Sequence, residues 1–172
     1  MALPSSGPIS LGDVRTELGQ SGSIDMNATN VRTLLQARYS NPVSMGNGYG
    51  EALYHDFDDS TFISPYGNGV YSQPLTISDY FSAGQLSSGS DFRVTGKILN
   101  TGWAYYTPYS WDMTKGTGVT TDPTPFASSK QYYMRANYLE TTDQVRIYGY
   151  YCCDSTSFPN GQVTISRIEL IL

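Results

Sequence analysis

His55 is the only histidine of the chain, so any catalytic arrangement that needs an imidazole must use it. It lies in the stretch YHDFDD, between the two parts into which the chain divides near residue 60. Nucleophilic catalysis of the Ser-His-Asp or Cys-His kind needs this ring beside a nucleophile. The sequence gives no sign of such a neighbour, so we expect His55 to be a surface residue in a linker.

The carboxylates and cysteines match no recognised metal pattern. Asp56, Asp58 and Asp59 offer the oxygen ligands that Ca²⁺ prefers, but the stretch lacks the glycine and the closing glutamate of an EF-hand loop. Cys152 and Cys153 are adjacent, so in a strand they point to opposite faces and are expected to be free thiols. The sequence therefore predicts no metal, no cofactor and no catalytic residue, and we expect a protein that is not an enzyme.

Aromatic residues give the strongest indication of binding. They crowd the stretch NTGWAYYTPYSWDM, and tyrosine and tryptophan rings can stack on sugars or anchor protein contacts. If two of these rings alternate into the core, the remaining three lie on a loop at one end of the β domain. The candidates are Trp103 and Tyr105, expected inside, then Tyr106, Tyr109 and Trp111, expected on the loop, with Tyr148 and Tyr150 as further exposed candidates. Two interpretations stay open: a glycan site, or rings that fill the core and seal a subunit interface.

Composition and charge define the class of protein that holds these residues. The chain has 172 residues, of which only 15% are charged, with 15 tyrosines and 17 glycines, a balance that favours strands joined by turns. A net charge of -5 with ten scattered basic residues argues against a nucleic-acid partner. The sequence has no apolar run of about 20 residues and no basic, apolar start, so we expect no membrane insertion and synthesis in a cytoplasm.

Strand patterns fill residues 61–172. Phe92, Val94 and Ile98 share one face of DFRVTGKIL, and QYYMRANY and QVRIYGYYC alternate in the same way, with a hairpin turn at LETTDQ between them. In GQVTISRIELIL the apolar residues change parity, which predicts a β-bulge near Ser166 and Arg167.

Shorter strands are expected at 61–64, 69–73 and 117–121, and a loop or short helix over 74–90. We therefore predict a mainly β fold whose C-terminal part is an antiparallel β-sandwich, jelly-roll-like in its connections. An apolar strand that ends at Leu172 is costly at a free edge, so it is expected inside a sheet or in a subunit contact.

Residues 1–60 have a different character, with a short apolar pattern that recurs in ISLGD, IDMNA and VSMGN. Ser10 and Asp13 have the spacing of a capping box, so a helix is predicted from Leu11 to Leu18, ended by Gly19. A second helix over about 28–38 is predicted from the i, i+3, i+4 spacing of its apolar residues.

Helices this short are marginal alone in water, so their apolar stripes need a surface. The segment either folds back onto the β domain or docks on another subunit. The residues that would make the contact are Ile9, Leu11, Val14, Leu18, Ile24, Met26, Val31, Leu34, Leu35, Val43 and Met45.

The succession ISLGDVRTELG, IDMNATNVRTLL and VSMGNGYG resembles an N-terminal module found on virion structural proteins of tailed bacteriophages, many of them tail-fibre-like or otherwise tail-associated. The resemblance covers about the first 50 residues. It departs from the family pattern in IDMNATN and in GNGYGE, where a lysine commonly follows the glycine. It implies an attachment arm in a phage particle, with other virion proteins as partners and the virion as location.

Two hypotheses follow for the whole chain. One is a tail component, in the fibre or baseplate, that displays the β domain and has a host-surface glycan as a candidate ligand. The other is a capsid decoration protein, of cement or head-fibre type, whose arm lies on the shell. A polysaccharide-degrading domain ranks last, because one sequence does not show which carboxylates would face each other across a sugar. Virion appendages sit on rotational axes, so a homo-oligomer is expected, with a trimer as the guess.

Overall fold

The structure, a computed structural model of the chain, describes residues 2–38, 42–58, 65–66, 69–99, 108–125, 132–151 and 162–172. Its helices are α1 (Leu11–Glu17) and α2 (Thr29–Leu34), and single 3-10 turns lie at Met45–Gly48, Ile77–Asp79 and Glu140–Thr142. Its strands are β1 (Tyr54–Asp56), β2 (Pro65–Tyr66), β3 (Gly69–Tyr71), β4 (Leu75–Thr76), β5 (Asp91–Leu99), β6 (Tyr109–Thr114), β7 (Val119–Thr120), β8 (Thr124–Pro125), β9 (Tyr132–Leu139), β10 (Gln144–Tyr151) and β11 (Gln162–Leu170).

The first helix begins at Leu11 as predicted and ends at Glu17, one residue before the predicted Leu18, which is its C-cap. The Ser10 hydroxyl accepts a hydrogen bond from the Asp13 N–H, and the Asp13 carboxylate accepts one from the Ser10 N–H at 2.7 Å. These two bonds satisfy N–H groups that have no partner inside the helix. Gly19 follows the helix with a φ of +62°, a conformation that costs glycine little. The capping box and the glycine stop are both confirmed.

The second helix is shorter than the predicted 28–38. It covers only Thr29–Leu34, because Gln36 adopts a φ of +56° and turns the chain out of the helix. The Ala37 N–H then bonds to the Arg32 carbonyl at 2.6 Å and closes the turn. Apolar spacing defined the buried face correctly, but it did not reveal this left-handed residue.

The strands form two antiparallel sheets, so the predicted mainly β fold, with two short helices ahead of it, is confirmed. The smaller sheet has the order β1-β11-β5-β6. The larger has the order β2-β3-β10-β9-β7, with β4 also paired to β10 and β8 to β9. β11 therefore lies between two neighbours, inside its sheet, which agrees with the expectation for the C-terminal apolar strand.

Three sequence patterns have their expected outcome. β5 spans Asp91–Leu99 with Phe92 and Val94 buried, and β9 pairs with β10 through a hairpin. In β11 the register to β5 shifts between Ile165 and Arg167, which confirms the bulge. The extra residue lets apolar side chains on both sides of the bulge face the same core.

The hairpin between β9 and β10 is fixed by Asp143, which has a φ of +55°. Its carboxylate accepts hydrogen bonds from the Tyr138 hydroxyl at 2.7 Å and the Ser78 N–H at 2.9 Å, and it pairs with the Lys115 ammonium. Burial alone would raise the pKa of Asp143, but these donors together lower it. The segment 74–90 is thereby tied to the hairpin, and its Ile77 lies fully buried in the core.

Buried residues of both sheets meet in one hydrophobic cluster. The rings of Phe92 in the smaller sheet and Tyr138 in the larger have centroids 5.3 Å apart in an edge-to-face arrangement. A Cβ added to Gly96 would lie 2.9 Å from Cγ1 of Ile147, so the sheets approach closely at this glycine. The finer expectation, a β-sandwich with jelly-roll-like connections, stays a prediction.

His55 does not lie in a linker, contrary to expectation. It is the middle residue of β1, opposite Ile168 of β11, so the β structure already begins at Tyr54, ahead of the expected division at residue 60. β1 has only three residues, and an alternation of apolar and polar side chains over so short a strand cannot be recognised in a sequence. The strand expected at 61–64 falls outside the described residues.

Candidate functional site

The predicted docking residues of the N-terminal segment pack mainly against one another. Four of them are fully buried in a cluster of their own, namely Val14, Val31, Leu34 and Leu35. Six more are half-buried around it, namely Ile9, Leu18, Ile24, Met26, Val43 and Met45. We call residues 2–38 and 42–53 together the N-terminal unit. The segment thus completes a small core itself, an arrangement that neither sequence hypothesis included.

The third apolar element closes this cluster through a glycine. A Cβ on Gly48 would lie 2.7 Å from Cδ2 of Leu35 and 2.9 Å from Cδ1 of Leu3, so a larger residue would push both side chains away. Nearby, the Gln36 amide donates to the Asn47 carbonyl at 2.8 Å. The packing of the unit therefore requires a residue without a side chain at Gly48, the second glycine of VSMGNGYG.

The N-terminal unit contacts the two-sheet part through a short polar junction. The Arg38 guanidinium donates to the carbonyls of Gln85 at 3.3 Å and Ile171 at 3.0 Å. The Gln85 side chain donates to the Ala52 carbonyl at 3.0 Å, and Leu53 packs against the hydrophobic clusters of both parts. The Arg38 N–H also donates to the Gly84 carbonyl at 3.3 Å, and the Leu170 N–H donates to the Leu53 carbonyl at 2.9 Å. The unit is thus held against the β structure by backbone as well as side-chain hydrogen bonds.

Two large side chains of the unit remain outside its core. Leu11, at the first position of α1, is 52% exposed, and Tyr49 is 45% exposed. Of the predicted docking residues in the described part of the chain, Leu11 is the one that is exposed. An apolar side chain in this position is available for contact without any opening of the unit.

The predicted aromatic loop is partly a strand. Tyr109 and Trp111 both belong to β6, with ring centroids 4.9 Å apart. Trp111 is buried in the core, which corrects its expected place on a loop, while Tyr109 is 42% exposed. The period-2 succession of Tyr109, Trp111 and Met113 was the signal for this strand. Trp103, Tyr105 and Tyr106 lie outside the described residues.

Tyr148 and Tyr150 lie elsewhere, on the outward side of β10 in the larger sheet, and both are half-buried. Their neighbours are tyrosines and arginines that the sequence analysis did not select. The rings of Tyr150 and Tyr133 stack at 5.8 Å, and the Arg135 guanidinium lies 5.8 Å from the Tyr148 ring and 5.5 Å from the Tyr150 ring. We call Tyr71, Tyr133, Arg135, Arg146, Tyr148 and Tyr150 the tyrosine–arginine face.

The face continues towards β3. Tyr71 lies 5.9 Å from the ring of Tyr148, and the Arg146 guanidinium lies 5.0 Å above the Tyr71 ring. Cation–π contacts of this kind hold long side chains in place on a sheet surface. The signal in the sequence was present in QYYMRANY and QVRIYGYYC, where tyrosine and arginine alternate with the buried residues.

His55 is held in a structural setting. Its Nε2 lies 3.0 Å from the Tyr80 carbonyl oxygen, and its ring lies 5.3 Å from both the Tyr80 and the Phe81 rings. Burial lowers the pKa of His55, which favours the neutral ring. The neighbours of the imidazole in these contacts are therefore a backbone carbonyl and two aromatic rings.

The acidic residues of YHDFDD form no cation site in the described chain. The Arg167 guanidinium donates to both carboxylate oxygens of Asp56, at 2.6 and 3.0 Å, and these hydrogen bonds lower the pKa of Asp56. Within the part of the chain that the structure describes, no group of three histidine, cysteine, aspartate or glutamate side chains has the arrangement of a metal site. Asp59, Cys152 and Cys153 lie outside that part. None of the helices described there has the length and apolar character needed to cross a bilayer.

Comparison with known proteins returned no match. No family model, no curated protein sequence and no solved structure is significantly similar to this chain. The contacts and surfaces described above are therefore the basis on which a function is proposed.

Proposed function

We propose that this chain is a non-enzymatic structural protein of a tailed-bacteriophage particle. In this proposal the N-terminal unit attaches the chain to another virion protein in the tail, and the two sheets are displayed outward. The main support is that the three elements behind the resemblance, ISLGDV, VRTLL and VSMGNGYG, pack into one apolar cluster separate from that of the sheets. A small folded unit with an apolar core of its own is suited to attachment.

The proposal also defines the surface that makes the attachment. Val14, Val31 and Leu34 stabilise the unit itself, because they are completely buried in it. The partner would then contact the outside of the unit, and Leu11 is the apolar side chain best exposed for this. Burial of one such side chain contributes about 1.5–3 kcal/mol to an interface.

The location of the protein on the particle is tested with gold-labelled antibodies, which are raised against residues 61–172 and applied to intact purified phage. Electron micrographs would show label on the tail or its tip if the proposal is correct. Label spread over the head would instead identify a capsid decoration protein. If neither the head nor the tail is labelled, the proposed virion role is contradicted. The expected homo-oligomer is tested separately, by light scattering of the purified chain.

The attachment surface is tested by Leu11→Asp. Aspartate in the first turn of a helix is favourable, so α1 should keep its structure and the variant should unfold at the temperature of the unchanged chain. We expect the variant to be lost from purified particles by at least about tenfold in an immunoblot, the loss that about 1.4 kcal/mol produces. Leu139→Asp is the matched control, since Leu139 is 45% exposed at the end of β9. Equal incorporation of both variants would rule out Leu11 as an attachment residue.

A further inference from the structure

The smaller sheet ends in a strand with one open edge. Its order is β1-β11-β5-β6, and among the described residues β6 pairs with β5 alone. A strand at the edge of a sheet presents a row of unpaired N–H and C=O groups, which is a template for a further strand. The outer edge of β6, over Tyr109–Thr114, is therefore a candidate interaction surface.

The direction of the backbone groups in β6 follows from its ladder with β5. The Lys115 N–H donates to the Ser90 carbonyl at 2.8 Å, and in an antiparallel ladder the residues face their partner strand alternately. Every second residue from Lys115 back to Tyr109 thus directs its backbone groups to β5. Ser110 and Asp112 direct theirs outward, and these two N–H and two C=O groups have no hydrogen bond to any described residue.

β6 lacks the features that commonly block an edge. It contains no proline and no lysine, and its pairing with β5 keeps one register from Asp91 to Gly96, without a bulge. Its single charged side chain, Asp112, is paired with Arg93 at 2.6 Å. The edge also borders an open groove that is lined by residues 109–112 and by Thr121, among others. A further strand therefore has access to it.

We infer that the outer edge of β6 pairs with the same edge of a second copy of this chain, antiparallel and about a two-fold axis at Trp111. In this register Ser110 lies opposite the partner's Asp112, and Asp112 lies opposite the partner's Ser110. Both positions direct their backbone groups outward, so four backbone hydrogen bonds join the copies. The two four-stranded sheets then form one sheet of eight strands, through an isologous contact.

The residues of β6 favour this register over its neighbours. An axis at Asp112 would set this carboxylate against the partner's Asp112, and like charges directly opposite each other are destabilising. An axis at Ser110 would set Asp112 opposite Pro108 of the partner subunit, which has no N–H to donate. In the inferred register the Ser110 hydroxyl, which lies 2.7 Å from the Thr95 hydroxyl, is free to donate to the partner's Asp112.

Trp111, at the axis, gives independent support. The residue is only 6% exposed, yet its indole N–H has no hydrogen-bond partner among the described residues. A buried donor without a partner is costly. Across the two-fold axis its diagonal neighbours include the partner's Tyr109, whose hydroxyl is an acceptor. The pairing also covers Tyr109 itself, which is 42% exposed in the single chain.

The inference concerns the purified chain and does not depend on its place in a particle. A two-fold contact joins chains in pairs, so it differs from the trimer expected from the rotational axes of a virion. A strand of another protein would use the same backbone groups. The complementarity of Ser110 and Asp112, however, is present within the chain itself, which favours a second copy as the occupant.

The experiment is sedimentation equilibrium of the purified full chain from about 1 to about 300 µM, because an interface made by one strand edge is small and weak. We expect a reversible equilibrium between one chain and two. Ser110→Pro removes an outward N–H that makes no bond within the sheet, so it should weaken the dimer by about tenfold or more and leave the fold intact. Ser110→Asp, which sets a second carboxylate opposite the partner's Asp112, should weaken it similarly.

Thr120→Pro is the matched control. Thr120 also directs its N–H outward, from β7 at the edge of the larger sheet, so this variant should dimerise like the unchanged chain. Thermal unfolding of each variant shows that a loss of the dimer is not a loss of fold.

Several results would overturn the inference. It fails if the unchanged chain sediments as a trimer or as a monomer throughout, and a monomer would leave the edge of β6 to a strand of another protein. It also fails if Ser110→Pro and Ser110→Asp dimerise normally, or if Thr120→Pro weakens the dimer as much as they do.

Discussion

Glu17 offers a test of the structure at the level of one residue. It ends α1 and is only 8% exposed, next to Leu53 at the junction of the N-terminal unit with the sheets. Burial, the largest influence on its carboxyl, raises the pKa above the ordinary 4.5. The folded state therefore holds the proton more tightly than the unfolded state. Its contribution to stability is complete below the ordinary pKa and is lost as the pH rises through the raised value.

Glu17→Gln should therefore stabilise the protein near neutral pH, because the neutral amide is not penalised by burial. We expect the unfolding temperature to rise at about pH 7 by about 2–4 °C, the effect of roughly 1 kcal/mol in a chain of this size. At about pH 4 the variant and the unchanged chain should unfold together. Glu140→Gln, in the exposed β9–β10 turn, is the control. If Glu17→Gln lowers the unfolding temperature at neutral pH, the charge itself is needed.

Single residues were predictable where the signal is local. Ser10 and Asp13 are three positions apart, and their capping box was recognised from this spacing alone. The burial of Trp111 was missed because Trp103 and Tyr105 were expected to be the core rings of this stretch, whereas β6 begins at Tyr109 and places Trp111 in the core. Gln36 was missed because no glycine or asparagine marks its left-handed conformation.

At the scale of elements, alternation identified the long strands but not their partners. β5, β9 and β10 were predicted from period-2 patterns, and the bulge in β11 from a change of parity. The pairing of β11 with both β1 and β5 could not be predicted. It joins residues that are far apart in the chain, and strands of similar composition do not specify which neighbour they choose.

The contact between the two sheets is testable through Gly96 of β5 and Ile147 of β10. A methyl group at Gly96 would meet Ile147 Cγ1 at 2.9 Å, so Gly96→Ala should destabilise the protein by about 1–3 kcal/mol. Ile147→Ala alone should cost about 2–5 kcal/mol by leaving a cavity. Because the new methyl group then has room, the double variant should lose less stability than the sum of the two. Urea unfolding of all four proteins measures this coupling.

The matched control for this cycle is Gly46→Ala in the N-terminal unit. A Cβ there would lie 3.7 Å from the Ser44 hydroxyl, an ordinary contact, so its effect should simply add to that of Ile147→Ala. Strictly additive effects of Gly96→Ala and Ile147→Ala would mean that the two sheets do not pack face to face at this point.

For the molecule as a whole, two short helices followed by a β-rich part were predicted from the sequence, but not the way in which they are stabilised. The apolar residues of the N-terminal segment were identified individually, yet the segment was expected to need an external surface. Its three elements instead bury Val14, Val31 and Leu35 against one another, a tertiary arrangement that helix spacing does not encode. Of the tyrosine–arginine face, Tyr148 and Tyr150 were selected from the sequence, but their neighbours were missed for the same reason, since the face forms only when β3, β9 and β10 are neighbours.

Deletion of residues 2–50 tests whether the two parts are separable. The hydrophobic cluster of the sheets, in the described part of the chain, contains no residue from this range, so the remaining chain should fold cooperatively. It should unfold at a lower temperature than the full chain. The deletion removes the Arg38 hydrogen bonds to Gln85 and Ile171 and exposes one side of Leu53. Circular dichroism and thermal unfolding measure both expectations, and Arg38→Ala in the full chain isolates the contribution of the junction.

The same deletion separates attachment from folding. If the N-terminal unit attaches the chain to its particle, the shortened protein should be soluble and folded but absent from purified phage in an immunoblot against residues 61–172. The full chain expressed from the same vector gives the reference amount. Incorporation of the shortened protein would assign attachment to the sheets. If instead it fails to fold, the N-terminal unit stabilises the sheets and the argument for a separable attachment module is wrong, because the contacts at Arg38 and Leu53 would then be essential to the fold.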